Sequence, residues 1–310
     1  MTMAFSDDVR HELARVIPSA RCCRVAELSA FYEMSGFLLG RHNQFLDFNT
    51  SSPFVARKIL IMLRGLYPDL PTQVLLVRSR SRRSQVCTVR VLGRRSAGQV
   101  YQDFKDQSVI DELGVPRKKC CRRAYLRGAF LCGGSITNPE RTYHLEISTE
   151  QGWLADKILA TLGSLDLEAG ITERKGSLVV YMKDGGQIAS LLSLMGAHSA
   201  LLHFENVRVM KDMRNQVNRL VNCETANVDK TVKAAVAQLE DIELIDAVIG
   251  LEELPPKLRE VARLRREHPY ASLQELGEMM KPKLSKSGVN YRLRQIRAKA
   301  RQLDKLVPKS

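Results

Sequence analysis

The chain has no run approaching the roughly 18 unbroken apolar residues that a membrane span needs, which excludes a transmembrane helix. Its opening residues, with Asp7, Asp8, Val9 and Leu13 at helical spacing, lack the basic-then-apolar pattern of a secretory signal, so a soluble, cytoplasmic protein is expected. Seven cysteines at irregular positions make no disulfide framework, and no CxxC pair is matched by a second ligand pair. The adjacent pairs Cys22-Cys23 and Cys120-Cys121 diverge by about 100° on a helix, so they are read as small buried packing residues, not metal ligands. The six histidines, His11, His42, His144, His198, His203 and His268, have no ligand or triad spacing, and no glycine-rich phosphate loop is present. No metal, cofactor or small-molecule substrate is expected.

What the chain does have is positive charge. Over 310 residues, 48 Lys and Arg outnumber 34 Asp and Glu, for a formal net charge of +14. The excess is segregated: 22 against 11 in residues 1–130, 11 against 16 in 131–250, and 15 against 7 in 251–310. Two basic ends flanking an acidic middle favour a polyanionic partner. With 44% apolar and 26% charged residues, the composition is that of a globular protein long enough for two or three domains.

The first two thirds contain an internal repeat. At an offset of 98, Cys22, Cys23, Arg24, Ala26, Leu28 and Gly36 match Cys120, Cys121, Arg122, Ala124, Leu126 and Gly134. At an offset of 99, Leu46, Thr50, Ala56, Lys58, Ile59 and Leu60 match Leu145, Thr149, Ala155, Lys157, Ile158 and Leu159. Periodicity and glycine placement give each copy the order αββαββα, with Gly98-Gln99 and Gly186-Gln187 opening the closing helices. The expected class is α+β: an N-terminal helix over 1–20, repeats over 21–110 and 111–221, and a helical domain over 222–310.

The segment Leu126-Arg-Gly-Ala-Phe-Leu-Cys-Gly-Gly134 resembles the nine-residue LAGLIDADG motif of homing endonucleases, and Leu28 to Gly36 resembles a weaker first copy. The resemblance implies two helices packed through small residues, here Ala30, Gly128 and Ala129. Active members carry an acid just before the last glycine of each motif, and the two carboxylates hold divalent metal for phosphodiester hydrolysis. This chain has Ser35 and Gly133 there, neither of which supplies a hard anionic ligand. Glu33 falls two residues early, on another face. The resemblance therefore implies a catalytically inactive scaffold. Its sheets lie in the major groove in that family, so the Arg78, Arg80, Arg82 and Arg83 turn, followed by Arg90, Arg94 and Arg95, is read either as a secondary phosphate contact or as a solvated loop.

Val207, Met210, Val217 and Leu220 opposite Arg208, Lys211, Arg214 and Arg219 predict a helix over 206–220, interrupted by the cap and turn formers Asn222, Thr225 and Asn227 before helix resumes over 229–250. Beyond it, Pro255-Pro256 opens a helix that His268-Pro269 stops. Ser272-Leu-Gln-Glu275 is a capping box, Pro282 ends the second helix, and Ser285 or Ser287 caps a third. On that third helix Val289, Leu293, Ile296 and Ala300 make the buried stripe, while Lys286, Asn290, Arg294, Arg297 and Arg301 make the outer one, with Ser287, Tyr291 and Arg292 beside it. The motif spans about 271–304. Asn suits adenine, Arg suits guanine, and later arginines suit phosphates, so this is the candidate DNA reader, with an ordinary solvated basic helix as the alternative.

Taken together, Pro255 to Leu264, Ser272 to Gly277 and Leu284-Ser-Lys-Ser-Gly-Val-Asn-Tyr-Arg-Leu-Arg294 are similar to the reader module of the WhiA family, and the resemblance spans nearly the whole chain. That family joins a degenerate LAGLIDADG domain to a helix-turn-helix akin to region four of sigma factors. The resemblance implies a nucleoid-associated regulator of transcription acting in cell division, chromosome segregation and sporulation-type development. Its expected partners are double-stranded DNA and a protein of the transcription or division machinery. Two other readings stand beside it: a nuclease, against which Ser35 and Gly133 argue, and a division-machinery adaptor with incidental DNA affinity.

Overall fold

A computed structural model describes residues 5–40, 43–78, 85–106 and 110–304. The chain divides into two compact units, 1–212 and 213–310. In the first, α1 (Phe5–Arg15) precedes two copies of one motif. The first copy runs α2 (Arg21–Ser35), β1 (Gly36–Leu39), β2 (Phe45–Thr50), α3 (Pro53–Leu66), β3 (Thr72–Arg78), β4 (Gln85–Leu92) and α4 (Arg94–Phe104). The second runs α5 (Lys119–Gly133), β5 (Gly134–Ile136), β6 (Leu145–Thr149), α6 (Gly152–Gly163), β7 (Gly170–Arg174), β8 (Ser177–Met182) and α7 (Gly185–Met195). Each copy forms a four-stranded antiparallel sheet, in the orders β1-β2-β4-β3 and β5-β6-β8-β7. The duplicated αββαββα order predicted from sequence is the order observed.

Matched residues do matched work. Arg24 donates from Nε to the Pro18 carbonyl (2.7 Å) and from Nη1 to the Gly65 carbonyl (3.2 Å). Arg122, its mate at an offset of 98, donates to the Pro116 (2.8 Å) and Ser164 (3.2 Å) carbonyls. Helices α2 and α5 pack face to face at the centre of the unit. There a Cβ on Gly128 would stand 2.7 Å from the Glu27 carbonyl oxygen and 2.9 Å from the Ala30 Cβ, so only glycine permits this approach. Phe31, Phe130, Leu28 and Leu126 are buried in the surrounding core.

The closing helices differ in how they start. α7 opens at Gly185, with the Asp184 carboxylate accepting from the Gln187 amide, close to the expected Gly186-Gln187. α4 opens at Arg94, and Gly98 lies inside it. The breaker is Gly93, whose φ of +88° is a conformation other residues avoid.

α8 (His198–Ile249) runs without a break through Val221 to Asn227, where capping residues predicted an interruption. Asn and Thr cost a helix interior only a few tenths of a kcal/mol, so their capping potential yields to continued backbone bonding. Thr231 accordingly donates its hydroxyl back to the Asn227 carbonyl (2.9 Å). Met210, Val217 and Leu220, predicted to face inward, are each at least half exposed. The compact units part at 212/213, nine residues before the 221/222 boundary expected from the turn formers.

In the second unit α9 (Pro256–Glu267), α10 (Leu273–Met279) and α11 (Lys286–Asp304) close a separate core with Ile242 and Ile245 of α8. Among the described residues, no helix is long and apolar enough to cross a membrane.

Candidate functional site

Two places in the sequence pointed to nucleic-acid chemistry, and the first is the pair of LAGLIDADG-like helix ends. At the position before the final glycine of the first motif, the Ser35 hydroxyl donates to the Asn49 carbonyl at 2.8 Å, with the Phe31 carbonyl at 3.2 Å. Its counterpart Gly133 has no room for any side chain. A Cβ there would stand 2.7 Å from the Met34 methyl carbon and overlap the Ser148 carbonyl oxygen. The nuclease fold would place magnesium here, but an occupied hydroxyl and a closed backbone position provide no carboxylate to bind it, so the residues present do not fit that ion.

Nearby carboxylates are already committed. Glu33 accepts from Lys157 Nζ at 2.8 Å on both oxygens and from the Tyr125 hydroxyl at 2.7 Å. Glu27, fully buried, is held between Lys58 Nζ (2.5 Å) and the Arg127 guanidinium (2.7 Å). Burial pushes the Lys58 ammonium down to about 8 even with Glu27 against it. Lys58 and Lys157 are repeat mates, and each neutralises one carboxylate of α2. At this helix pair both carboxylates are therefore committed to ion pairs that pack the helices together, two anions against three cations.

The second place is α10–α11. Ser272 Oγ accepts from the Glu275 amide (3.2 Å) while the Glu275 carboxylate accepts from the Ser272 amide (2.7 Å), so the predicted capping box forms. These bonds hold the Glu275 carboxyl below its usual range. The turn closes where the Leu284 amide donates to the Gly277 carbonyl at 2.9 Å, an approach that leaves no space for a Cβ at Gly277. Of the two candidate caps for α11, Ser285 is the one whose hydroxyl accepts a helix amide, that of Gly288 (3.2 Å). Arg265, almost completely buried, donates to the Pro269 (3.3 Å) and Ala271 (2.6 Å) carbonyls and so fixes the chain between α9 and α10. Burial lowers its pKa.

With the helix pair so fixed, Val289, Leu293, Ile296 and Ala300 are buried as expected. Lys286, Ser287, Tyr291, Arg294, Arg297 and Arg301 are exposed, and Asn290 is half-buried. Arg294 forms no ion pair among the described residues. Arg297 Nε stands 3.8 Å from an Asp241 carboxylate that burial pushes above its usual range. Arg292 departs from the expected set. It turns inward, donating to the Lys257 carbonyl (3.3 Å), with Glu260 at 3.8 Å. Glu260 was the missed signal, one turn into α9.

The arginine turn lies largely outside the described residues: Arg80, Arg82 and Arg83 do, and of Arg78 only the backbone, in β3, is described. Arg90 leaves the cluster. It forms a two-point bond to Asp47, both distances 2.7 Å, across the β2–β4 pair and stacks on Phe45.

These features define a class: a duplicated LAGLIDADG-type scaffold without the paired acids, carried in one chain with a helix-turn-helix. Family models agree. The WhiA N-terminal LAGLIDADG-like domain matches residues 21–105, the WhiA LAGLIDADG-like domain matches 122–214, and the WhiA C-terminal HTH domain matches 217–300. The chain is 47% identical over 313 residues to "Probable cell division protein WhiA" of Desulfitobacterium hafniense strain Y51, covering 97% of each. It is 46% identical over 310 residues to the protein of the same name from Heliobacterium modesticaldum, covering 96% of each. The crystal structure of full-length WhiA from Thermatoga maritima superposes with a TM-score of 0.60 at 27% identity, covering 97% of this chain and 99% of that one. The chain belongs to the WhiA family.

Proposed function

We propose that this protein is a sequence-specific DNA-binding regulator of transcription that acts in cell division, with α11 as its reader and no nuclease activity. The carrying observation is the outer stripe of α11: Lys286, Asn290, Arg294 and Arg301 stand on a helix fixed by the Ser285 cap, the Gly277 turn and a buried apolar stripe. Side chains that read bases must be held at defined positions on a rigid element. Asn290 and Arg294 are assigned to base edges. Lys286, Arg297 and Arg301 are assigned to phosphates, with Ser287 and Tyr291 at the margin. Arg292 is withdrawn from this set, because its guanidinium packs against α9. Arg78, Arg80, Arg82 and Arg83 remain a secondary, sequence-blind phosphate contact. Double-stranded DNA is the partner, the nucleoid is the place of action, and chromosome segregation and sporulation-type development are the processes served. The names borne by the relatives support the division assignment.

Chromatin immunoprecipitation of the full-length protein beside an Asn290→Ala, Arg294→Ala variant tests the reading. Discrete peaks sharing one motif and lost in the variant are expected. Diffuse signal insensitive to the variant overturns the reader assignment and favours an adaptor whose DNA affinity is incidental.

A further inference from the structure

The duplicated cysteine pairs were expected to point apart, yet all four sulfurs converge. Cys22 and Cys23 begin α2, Cys120 and Cys121 begin α5, and the four Sγ atoms all lie within 4.8 Å of one another. Within one pair, Cys120 and Cys121 are 3.9 Å apart. A zinc ion bound tetrahedrally with Zn–S bonds of about 2.3 Å holds its sulfurs about 3.8 Å apart, so side-chain adjustments of an ångström or less complete the site. No other group of three or more His, Cys, Asp or Glu side chains among the described residues converges in this way.

We propose that Cys22, Cys23, Cys120 and Cys121 form a structural four-thiolate zinc site that ties together the starts of the two LAGLIDADG-like helices. Each helix supplies half the ligands, so the site exists only when the two repeats are paired. Two ligands from each helix fill all four positions and leave none open for a substrate, as in structural zinc centres. Cys23 and Cys121 are buried with Ala26 and Ala124 beneath them, while Cys120 is exposed and gives the ion a way in. Alanine stands at both of these repeat-matched positions against the cysteines.

The surroundings suit an anionic complex. Neither helix has an acidic residue in its first turn, and neither Ala20 nor Lys118 caps its helix with a side-chain bond, so no side chain there offsets the positive end of either helix dipole near the cysteines. Arg24 and Arg122 clamp the segments leading into the two helices by the same pair of bonds, which fixes where the ligand pairs start. Without a metal, burial disfavours the thiolates, pushing the Cys23 thiol up to about 12 and raising the Cys121 thiol as well. The Cys120 thiol, opposed by burial, is pushed down by bonds from Cys23, Cys121 and Cys22. Binding converts four thiols and one zinc ion to a tetrathiolate complex of charge −2, with four protons released, so affinity falls as pH falls. An iron–sulfide cluster is larger than one ion and would hold its cysteines further apart than these stand, which favours a single metal.

The test uses full-length protein purified under reducing conditions, without chelator, from zinc-supplemented cells. Elemental analysis by mass spectrometry is expected to give roughly one zinc per chain. Cys120→Ser, at the exposed position where folding is least at risk, and the Cys22→Ser, Cys120→Ser pair are expected to lose most of it, while Cys223→Ser retains it. Circular dichroism checks that each variant is folded. Cobalt added to the stripped wild type is expected to give thiolate-to-metal charge transfer and the intense visible bands of a tetrahedral site, both abolished by zinc. Wild type with no more zinc than the double variant and no cobalt spectrum overturns the proposal. So does a disulfide joining the helices in freshly reduced protein, or iron in place of zinc.

Discussion

Glu27 shows what a single residue can decide in this scaffold. It is a fully buried carboxylate with Lys58 on one oxygen and the Arg127 guanidinium spanning both. Both cations are spent elsewhere as well: Lys58 donates to the Leu13 (2.8 Å) and Val16 (2.7 Å) carbonyls, and Arg127 to the Met195 carbonyl (2.9 Å). Removing the anion would leave two cations in a dry interior, a loss that costs about 3–5 kcal/mol where one partner of a buried pair is deleted. Glu27→Gln is therefore expected to lower the urea midpoint of the first unit steeply. A midpoint unchanged within error would show that Lys58 and Arg127 do not depend on this carboxylate. The same spatial logic governs Gly133. Because a side chain there meets Met34 and the Ser148 backbone, a Ser35→Asp, Gly133→Asp variant should be destabilised and should still fail to cut plasmid DNA in magnesium. Cleavage by this variant would show that the scaffold lacks only its acids.

At the scale of elements, the turn between α10 and α11 depends on one glycine. Gly277→Ala drives a methyl group into the Leu284 carbonyl, whose chain is held by the adjoining hydrogen bond, so the two helices must separate. The expected outcome is loss of cooperative melting in the second unit together with loss of specific DNA binding. Ser272→Ala, which removes only the capping box, should cost about 1 kcal/mol and leave binding intact at low temperature. Normal melting in Gly277→Ala would refute the close-packed turn. These helices were legible in the sequence because their signals are local: proline at the start of α9, Ser272 with Glu275, Ser285, and an apolar stripe of period three to four. The duplicated sheets were legible because the repeat states the same pattern twice. The unbroken course of α8 was not, since Asn222, Thr225 and Asn227 are good caps and tolerable helix residues alike. Arg292 and Arg90 were misplaced for another reason: their partners, Glu260 and Asp47, come from other elements, which a helical wheel or a strand pattern does not contain. The cysteines carried a usable signal in their offset of 98. Matched positions on two helices paired about a pseudo-twofold face one another, so divergence within one pair does not prevent convergence of two.

For the whole molecule, the question is how DNA affinity divides between the two units. Each has its own apolar core, one built on α2 and α5 and the other on α9 to α11, so the second unit has what a domain needs to fold alone. Charge is split as well, with 22 Lys and Arg in residues 1–130 and 15 in 251–310. Phosphate contacts set the slope of log affinity against log salt, about −0.9 for each phosphate neutralised, whereas base contacts set the ratio of specific to random-sequence affinity. A fragment spanning 213–310 should therefore keep the full chain's preference for its site, and Arg301→Ala in it should flatten the slope by about 1 without changing that preference. If the N-terminal arginine turn also touches DNA, the full chain will show a steeper slope than the fragment, and Arg80→Ala with Arg82→Ala will remove the difference. Equal slopes for chain and fragment would confine DNA contact to the helix-turn-helix. The LAGLIDADG scaffold would then be left without its nuclease acids and without a role in gripping DNA, and a protein partner would be the remaining use for its surface.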